Sequence, residues 1–389
     1  MKFAHIADCH LGGWQKPELQ ELNFKSFEYA IDTCLREKVE FILIAGDLFD
    51  SAYPSIEILK KTFNVFRKIK EHAIPVFLIA GSHDYSVSGK TFLDVLENAG
   101  FIKNVFSFEE KDGKIFLHPT IYKNVAIYGF PGKKSGLEVE EIEKIKLQDS
   151  PGLFKILMLH TTIKDAIPSL DIAAVDEKKL PKVDYLALGH LHINYVRNNR
   201  VYPGPIFPNN VPELEELKGG SFYIFNAGEI LKREVKLKDC LVLNLEVKKT
   251  VNLAESIISY LETQEVKDKI VILKLSGVLE QGKIGDIDFT KIEDFLKKNK
   301  AYSFLKSTSK LHISESEINL TSLNTENLEE DVIKKFEDST PNKFNTLIRP
   351  LIRALQIEKI EDESNSVFQE RLISESKKII ENENKENKS

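Results

Sequence analysis

The first 235 residues alternate short apolar runs with stretches of helical periodicity. The apolar runs are Phe3–Ala7, Phe41–Ala45, Val76–Ala80, Val125–Phe130, Ile156–Leu159 and Tyr185–Leu188. They are β-rich and continuous rather than alternating, so each predicts a strand covered on both faces. Phe24–Lys38 and Ile56–Glu71 read as helices between them; in the second, Leu59, Phe63, Phe66 and Ile69 recur at helical spacing. Strands alternating with helices predict an α/β domain with a central sheet or paired sheets over residues 1–235.

The pattern changes near residue 235. Leu241–Val247, Ala254–Leu261, Val271–Leu275 and Ile292–Lys298 read strand, helix, strand, helix, and a last strand follows to about His312. This predicts a small second α/β domain over residues 236–313. From 314 to 389 the chain turns polar but keeps two amphipathic patches. Phe344–Ile357 carries Leu347, Ile348, Leu351, Ile352 and Leu355; Val367–Ile380 carries Phe368, Leu372, Ile373, Ile379 and Ile380. Short helices in a polar tail cannot bury such faces alone. They either fold back on the parent domain or dock a partner. The closing run ENENKENKS is expected to be disordered.

Composition narrows the function only by exclusion. Charged residues make up 29% of the chain but nearly balance, at a net charge of -6, so no global nucleic-acid signal exists and any DNA-binding face must be local. Cys9, Cys34 and Cys240 show no CxxC spacing, which argues against a disulfide framework or a structural zinc site and for a reducing compartment. No apolar run approaches the ~18 residues of a membrane span. The opening MKFAHIADCH reads as a strand entering a motif, not as a signal peptide, and a cytoplasmic location is expected.

Chemistry concentrates just past the strands. Asp8-Cys9-His10 follows the first, and Gly46-Asp47, continuing to Leu48-Phe49-Asp50, follows the second. Gly81-Ser82-His83-Asp84 follows the third, His160 follows Ile156–Leu159, and Gly189-His190-Leu191-His192 follows Tyr185–Leu188. One polar residue at a strand end is ordinarily structural, but five of the chain's nine histidines fall in these clusters. Open α/β sheets bind ligands beyond the carboxyl ends of their strands. Carboxylates, imidazoles and an oxygen side chain suit borderline or hard divalent ions such as manganese, iron or zinc. They are too many for one ion. Two ions ~3.5–4 Å apart can activate a water and clamp a phosphoryl group. Asp47, with two oxygens to share, is the best bridging candidate.

The order D-x-H, G-D, G-x-H-D, H, G-H-x-H resembles that of the calcineurin-type metallophosphoesterases, over about residues 1–230. Within them, Ala7-Asp8-Cys9-His10-Leu11-Gly12, Ala45-Gly46-Asp47-Leu48-Phe49-Asp50 and Tyr185-Leu186-Ala187-Leu188-Gly189-His190-Leu191-His192 resemble the double-strand-break repair nucleases of the Mre-eleven and SbcD type. Val367-Phe368-Gln369-Glu370-Arg371-Leu372 is a weaker match. The resemblance implies a four-layer α/β/β/α sandwich, a small α/β capping domain, and a helical tail that docks a coiled-coil ABC-type ATPase. It places Asp8, His10, Asp47 and His192 on one manganese ion, and Asp47, Ser82, His160 and His190 on the other. His83 becomes the catalytic imidazole, and Asp84 orients it by accepting a hydrogen bond. The implied activity is 3′–5′ exonuclease and single-strand endonuclease action on DNA ends by a homodimer. Phe63, Phe66, Phe92, Leu93 and Leu96 are candidates for its interface, or ordinary core. The same motifs serve phosphatases and cyclic phosphodiesterases, and a weakly catalytic DNA-end-bridging scaffold is a further reading.

Three positions depart from the family. Ser82 stands where Asn is usual, and a hydroxyl is a shorter, weaker ligand than an amide oxygen. Asp50 stands where many members have His and the bacterial branch often has Asp. Pro203-Gly204-Pro205 replaces a Gly-Ser turn. Ser88-Gly89-Lys90-Thr91 resembles the end of a phosphate-binding loop, but Asp84 occupies the place of its first glycine and no strand feeds it directly.

Overall fold

The computed structural model describes residues 1–85, 91–133, 136, 138–168, 172–313, 333–334, 337, 345–357 and 365–386. Ser88–Lys90 and residues 387–389 lie outside this set. The chain divides into two compact units, Met1–Gly277 with Gln281–Leu311, and Val278–Glu280 with His312–Ser389.

The first unit is built on two six-stranded sheets. One runs in the order Glu229–Val235, Gly220–Asn226, Lys2–Ile6, Phe41–Ala45, Val76–Ile79, Lys103–Asn104, and its last four strands are parallel. The other runs Tyr195–Arg197, Arg200–Tyr202, Tyr185–Gly189, Phe154–His160, Val125–Phe130, Thr120–Tyr122, with four parallel strands at its centre. Strand side chains alternate between faces, so each apolar run fills two cores at once. Phe3, Phe41, Leu43, Phe77 and Ile79 meet Val125, Ile127, Ile156, Met158 and Tyr185 between the sheets. The opposite face of the first sheet, with Ala4, Ile6, Ile42, Ile44 and Leu78, packs on helices Pro17–Arg36, Ile56–Glu71 and Phe92–Asn98.

The outer face of the second sheet is covered differently from the helical layer expected. Tyr128, Phe130, Leu157, Leu159, Leu186 and Leu188 pack mainly on a small three-stranded sheet, Phe108–Lys111, Lys114–Leu117 and Ile145–Leu147, through Ile115, Leu117 and Ile145. The five-residue helix Glu138–Ile142 adds Ile142. Asp112 and Gly113, both left-handed, turn the first two of these strands into a hairpin. The architecture is mixed α/β with several sheets.

Helix Pro17–Arg36 starts earlier than the periodicity indicates, because Pro17 presets its first turn and Glu18 faces its positive end. Phe66, Leu93 and Leu96 are core residues, so they offer no surface to a second subunit; Phe63 and Phe92 are partly buried against the same core. Strands Cys240–Glu246, Ile270–Leu279 and Ser303–Ile313 form a three-stranded sheet with helices Leu253–Glu262 and Phe289–Lys298 between them. Its residues Ile270, Ile272 and Leu305 pack on Trp14, Leu19, Leu22, Phe207 and Leu214. In the second unit, helices Ile348–Leu355 and Asn365–Glu386 fall on the two amphipathic patches.

Candidate metal centre

The parallel strands of both sheets deliver their carboxyl ends to one place. Asp8 and His10 follow Lys2–Ile6, Asp47 follows Phe41–Ala45, and Ser82–Asp84 follow Val76–Ile79. From the other sheet come His160, the last residue of its strand, and His190 and His192 after Tyr185–Gly189. Backbone bonds lock the first two motifs together: the amides of Asp8, His10 and Leu11 donate to the carbonyls of Gly46 (3.2 Å), Asp47 (3.0 Å) and Leu48 (3.0 Å). Asp8, His10, Asp47 and His190 all have φ in the left-handed region, at 50°, 43°, 50° and 97°. Strained residues of this kind persist only where the surroundings enforce them.

Glycines make room for the ligands. A Cβ on Gly46 would lie 2.1 Å from His160 Nδ1, and one on Gly81 would lie 2.2 Å from Asp47 Oδ1. Gly132, outside every motif, lies against His160 Cδ2, where a Cβ would come within 2.5 Å.

Five of the expected ligands converge. Asp8, His10 and His192 form one group and Asp8, Asp47 and His160 another; in each, one ligand atom per residue lies within 4.8 Å of the others. Asp47 Oδ2 is 3.2 Å from His160 Nε2 and 3.7 Å from His10 Nε2, so one carboxylate oxygen faces both halves. Ser82 Oγ donates to that oxygen at 3.4 Å. His190 stacks edge-on to His160 at 5.2 Å and belongs to neither group, although its amide donates to Asp8 Oδ1 at 2.9 Å.

His83 is half-exposed and packs edge-on against His10, with ring centroids 4.8 Å apart. The hydrogen bond expected between it and Asp84 is not made. His83 Nδ1 instead meets the carbonyl of Asp50 at 2.8 Å. The carboxylate of Asp84 is buried and accepts from the amides of Gly81 (2.9 Å), Phe49 (3.1 Å) and Leu48 (3.3 Å). Adjacent residues leave the chain in different directions, and Asp84 turns inward to tie the second and third motifs together.

Two carboxylates escaped the reading as imidazole partners. Asp50 Oδ1 lies 3.1 Å from His10 Nδ1, and Glu213 Oε1 lies 3.0 Å from His192 Nδ1. A carboxylate only accepts, so each Nδ1 carries a proton and Nε2 is the atom each ring turns toward the other. Those two Nε2 atoms are 3.1 Å apart. At that distance a proton or a metal cation lies between the two nitrogens.

The electrostatics carry the same demand. Burial raises the Asp8 carboxyl above its ordinary range. Burial also works against ionised Asp47, but His160 and His10 outweigh it and hold that carboxyl low. His160 is pushed up to about 10: burial opposes its charge, and Asp47 and Asp8 overcome it. His190 falls to about 4 through burial and the neighbouring His160. Asp84 rises to about 6 through burial and the nearby Asp47. Asp8 Oδ2 is buried without a hydrogen-bond partner, and His160 Nε2 is buried facing Asp47 Oδ2. An orphaned buried carboxylate oxygen, converging imidazole nitrogens and an all-nitrogen and oxygen set fit a divalent-ion centre.

Comparison with known proteins agrees. Residues 1–194 match the family model described as calcineurin-like phosphoesterase. The chain is 28% identical to a DNA double-strand break repair protein Mre11 of Methanosarcina mazei over 76% of this chain and 48% of that protein. It is 27% identical to one from Sulfolobus acidocaldarius, over 75% of this chain and 79% of the relative. A Bacillus subtilis protein, the uncharacterized metallophosphoesterase YhaO, is 31% identical over 58% and 57%. The chain spans about half the length of the Methanosarcina relatives it matches. With its ligand clusters at the carboxyl ends of two parallel-stranded sheets, this chain belongs, through residues 1–194, to the calcineurin-like phosphoesterases and is a distant homologue of the archaeal Mre11 proteins.

Proposed function

We propose that this protein is the nuclease subunit of a DNA double-strand-break repair complex, hydrolysing phosphodiester bonds with two manganese ions as a 3′–5′ exonuclease and single-strand endonuclease. The convergence of Asp8, His10, Asp47, His160 and His192 at one point carries the reading. The archaeal relatives, named as double-strand break repair proteins, supply the substrate class.

In this reading Asp8, His10, Asp47 and His192 hold one ion, and Asp47, Ser82, His160 and His190 hold the other. When bound, the ions supply Lewis acidity to the phosphate and to the attacking water. Asp47 would serve both ions, since its Oδ2 faces imidazoles of both halves. His83 stands at the exposed side, its Nδ1 fixed on the Asp50 carbonyl, so that Nε2 meets a phosphate oxygen or protonates the leaving oxygen. Asp84 acts as a positioning residue through the backbone it holds. Residues 1–235 form the nuclease domain, 236–313 the cap and 314–389 the tail. Exposed Leu355, Ile373 and Ile380 support the tail as the docking site for a coiled-coil ABC-type ATPase. The homodimer reading rests on partly buried Phe63 and Phe92 and on exposed Ile56, the first residue of the helix that carries Phe63.

The test is a nuclease assay on duplex DNA with defined ends, with and without manganese and the ATPase. Manganese-dependent nucleotide release is expected. Hydrolysis of p-nitrophenyl phosphate or cyclic AMP alone refutes the DNA assignment, whereas DNA binding without cleavage marks a scaffold.

A further inference from the structure

Beyond the ligands, a strap of chain holds their outer ends. Residues Phe207–Glu213 run from Tyr202 into helix Val211–Leu217, which Asn210 caps by accepting the Glu213 amide at 2.9 Å. Asn209 lies at the centre of the strap. Its amide N–H donates to Glu213 Oε2 at 2.8 Å, and its side-chain Nδ2 donates to Asp50 Oδ1 at 3.3 Å. Glu213 and Asp50 in turn sit on Nδ1 of His192 and His10. One residue therefore joins two carboxylates, and each carboxylate fixes the tautomer and orientation of an imidazole whose Nε2 faces the other.

We propose that Glu213 is a positioning residue for the metal centre: with Asn209 it forms a second layer that sets the His192 Nε2 lone pair toward the ion shared by Asp8 and His10. This rests on the dinuclear reading above. Carboxylates behind metal-binding imidazoles orient the ring and raise its basicity, and their loss typically weakens metal affinity ~10–100-fold. Glu213 also stands in the first turn of its helix, where a negative charge is favoured, and its other partners are Asn209 and Asn210. The strap is also anchored independently of the ligands. The Trp14 indole N–H donates to the Pro208 carbonyl at 2.9 Å, and Glu215, one turn-edge further along the helix, pairs with Lys274 at 2.5 Å. Asn209 and Glu213 are thus presented by a braced segment.

The test is manganese titration of the full chain, by calorimetry and electron paramagnetic resonance, on wild type, Glu213→Ala, Glu213→Asp and Asn210→Ala. Wild type is expected to bind two ions. Glu213→Ala should weaken one of them ~10–100-fold, and Glu213→Asp should recover part of that loss. Asn210→Ala removes the helix cap and one hydrogen bond to Glu213 Oε1 but keeps the carboxylate on His192, and should change affinity by less than about threefold. If Glu213→Ala does not fold, Glu213→Gln replaces it in the same comparison. Unchanged affinity in the Glu213 variants, or an equal loss in Asn210→Ala, overturns the positioning role. Failure of wild type to bind any divalent ion overturns the dinuclear reading and this inference together.

Discussion

Gly189→Ala probes how tightly the two sheets close around the centre. Gly189 ends the strand Tyr185–Gly189, and its φ is not in the left-handed region, so alanine brings no backbone strain of its own. Its new Cβ would lie 1.9 Å from the Ala45 carbonyl oxygen and 2.9 Å from His160 Nδ1. Those are the two atoms of the 2.9 Å hydrogen bond that aims His160. An ordinary carbon–oxygen contact is about 3.3 Å, so the sheets must part by roughly 1.4 Å or the bond must break. Overpacking of a dense core costs about 1–3 kcal/mol. Stranding a buried polar group adds about 1–3 kcal/mol. The variant should therefore lose about 2–6 kcal/mol in urea denaturation without divalent ions, and its manganese affinity should fall with the displaced imidazole. Gly285→Ala is the control, since a Cβ there meets nothing within 4 Å. If Gly189→Ala matches Gly285→Ala within about 0.5 kcal/mol and binds manganese like wild type, the packing argument is wrong.

Three further outcomes follow from the same geometry. His5 is buried between the sheets against the Tyr185 hydroxyl at 3.1 Å, and burial drops its pKa to about 3. The native state thus refuses a proton that the unfolded chain takes below about pH 6.5, so this group alone should add a loss of about 1.4 kcal/mol per pH unit from there toward pH 3, beside the like contribution of His190 down to about pH 4. His5→Gln should flatten this slope in denaturation curves at pH 4–7, and an unchanged slope would assign it elsewhere. Asp84→Asn puts an amide N–H against at least one of the three amides it now accepts; urea denaturation should show a loss of about 2–3 kcal/mol, and neutrality would remove its bracing role. His83→Leu should abolish cleavage with both manganese ions still bound, as counted by metal analysis of the dialysed protein; loss of an ion would make His83 a ligand.

How much of this was readable in the chain depends on where each residue sits. The ligand clusters were legible because each follows an apolar run, and a buried parallel strand fixes where its next residue emerges. The strands Phe41–Ala45 and Val125–Phe130 fall where their runs predict. Glu213 and Asn209 follow no such strand; their only local mark is the Asn-x-x-Glu start of a helix, which says nothing about the histidine they reach. Asp84 was misdirected because sequence neighbours are not side-chain neighbours at a turn. The sheet over the second sheet's outer face was missed because Phe108–Lys111 is polar and exposed, with little of the burial signal that marks a strand.

The four left-handed residues have a consequence for how this protein can change. Backbone comfort and ligand chemistry pull in opposite directions at Asp8, His10, Asp47 and His190. Glycine alone occupies such conformations freely, while other L-residues lose roughly 1–2 kcal/mol there. Replacing a ligand by glycine therefore relaxes the very turn that the ion requires. A descendant that abandons hydrolysis need not decay into instability: its ligand positions are the sites where the fold has something to gain.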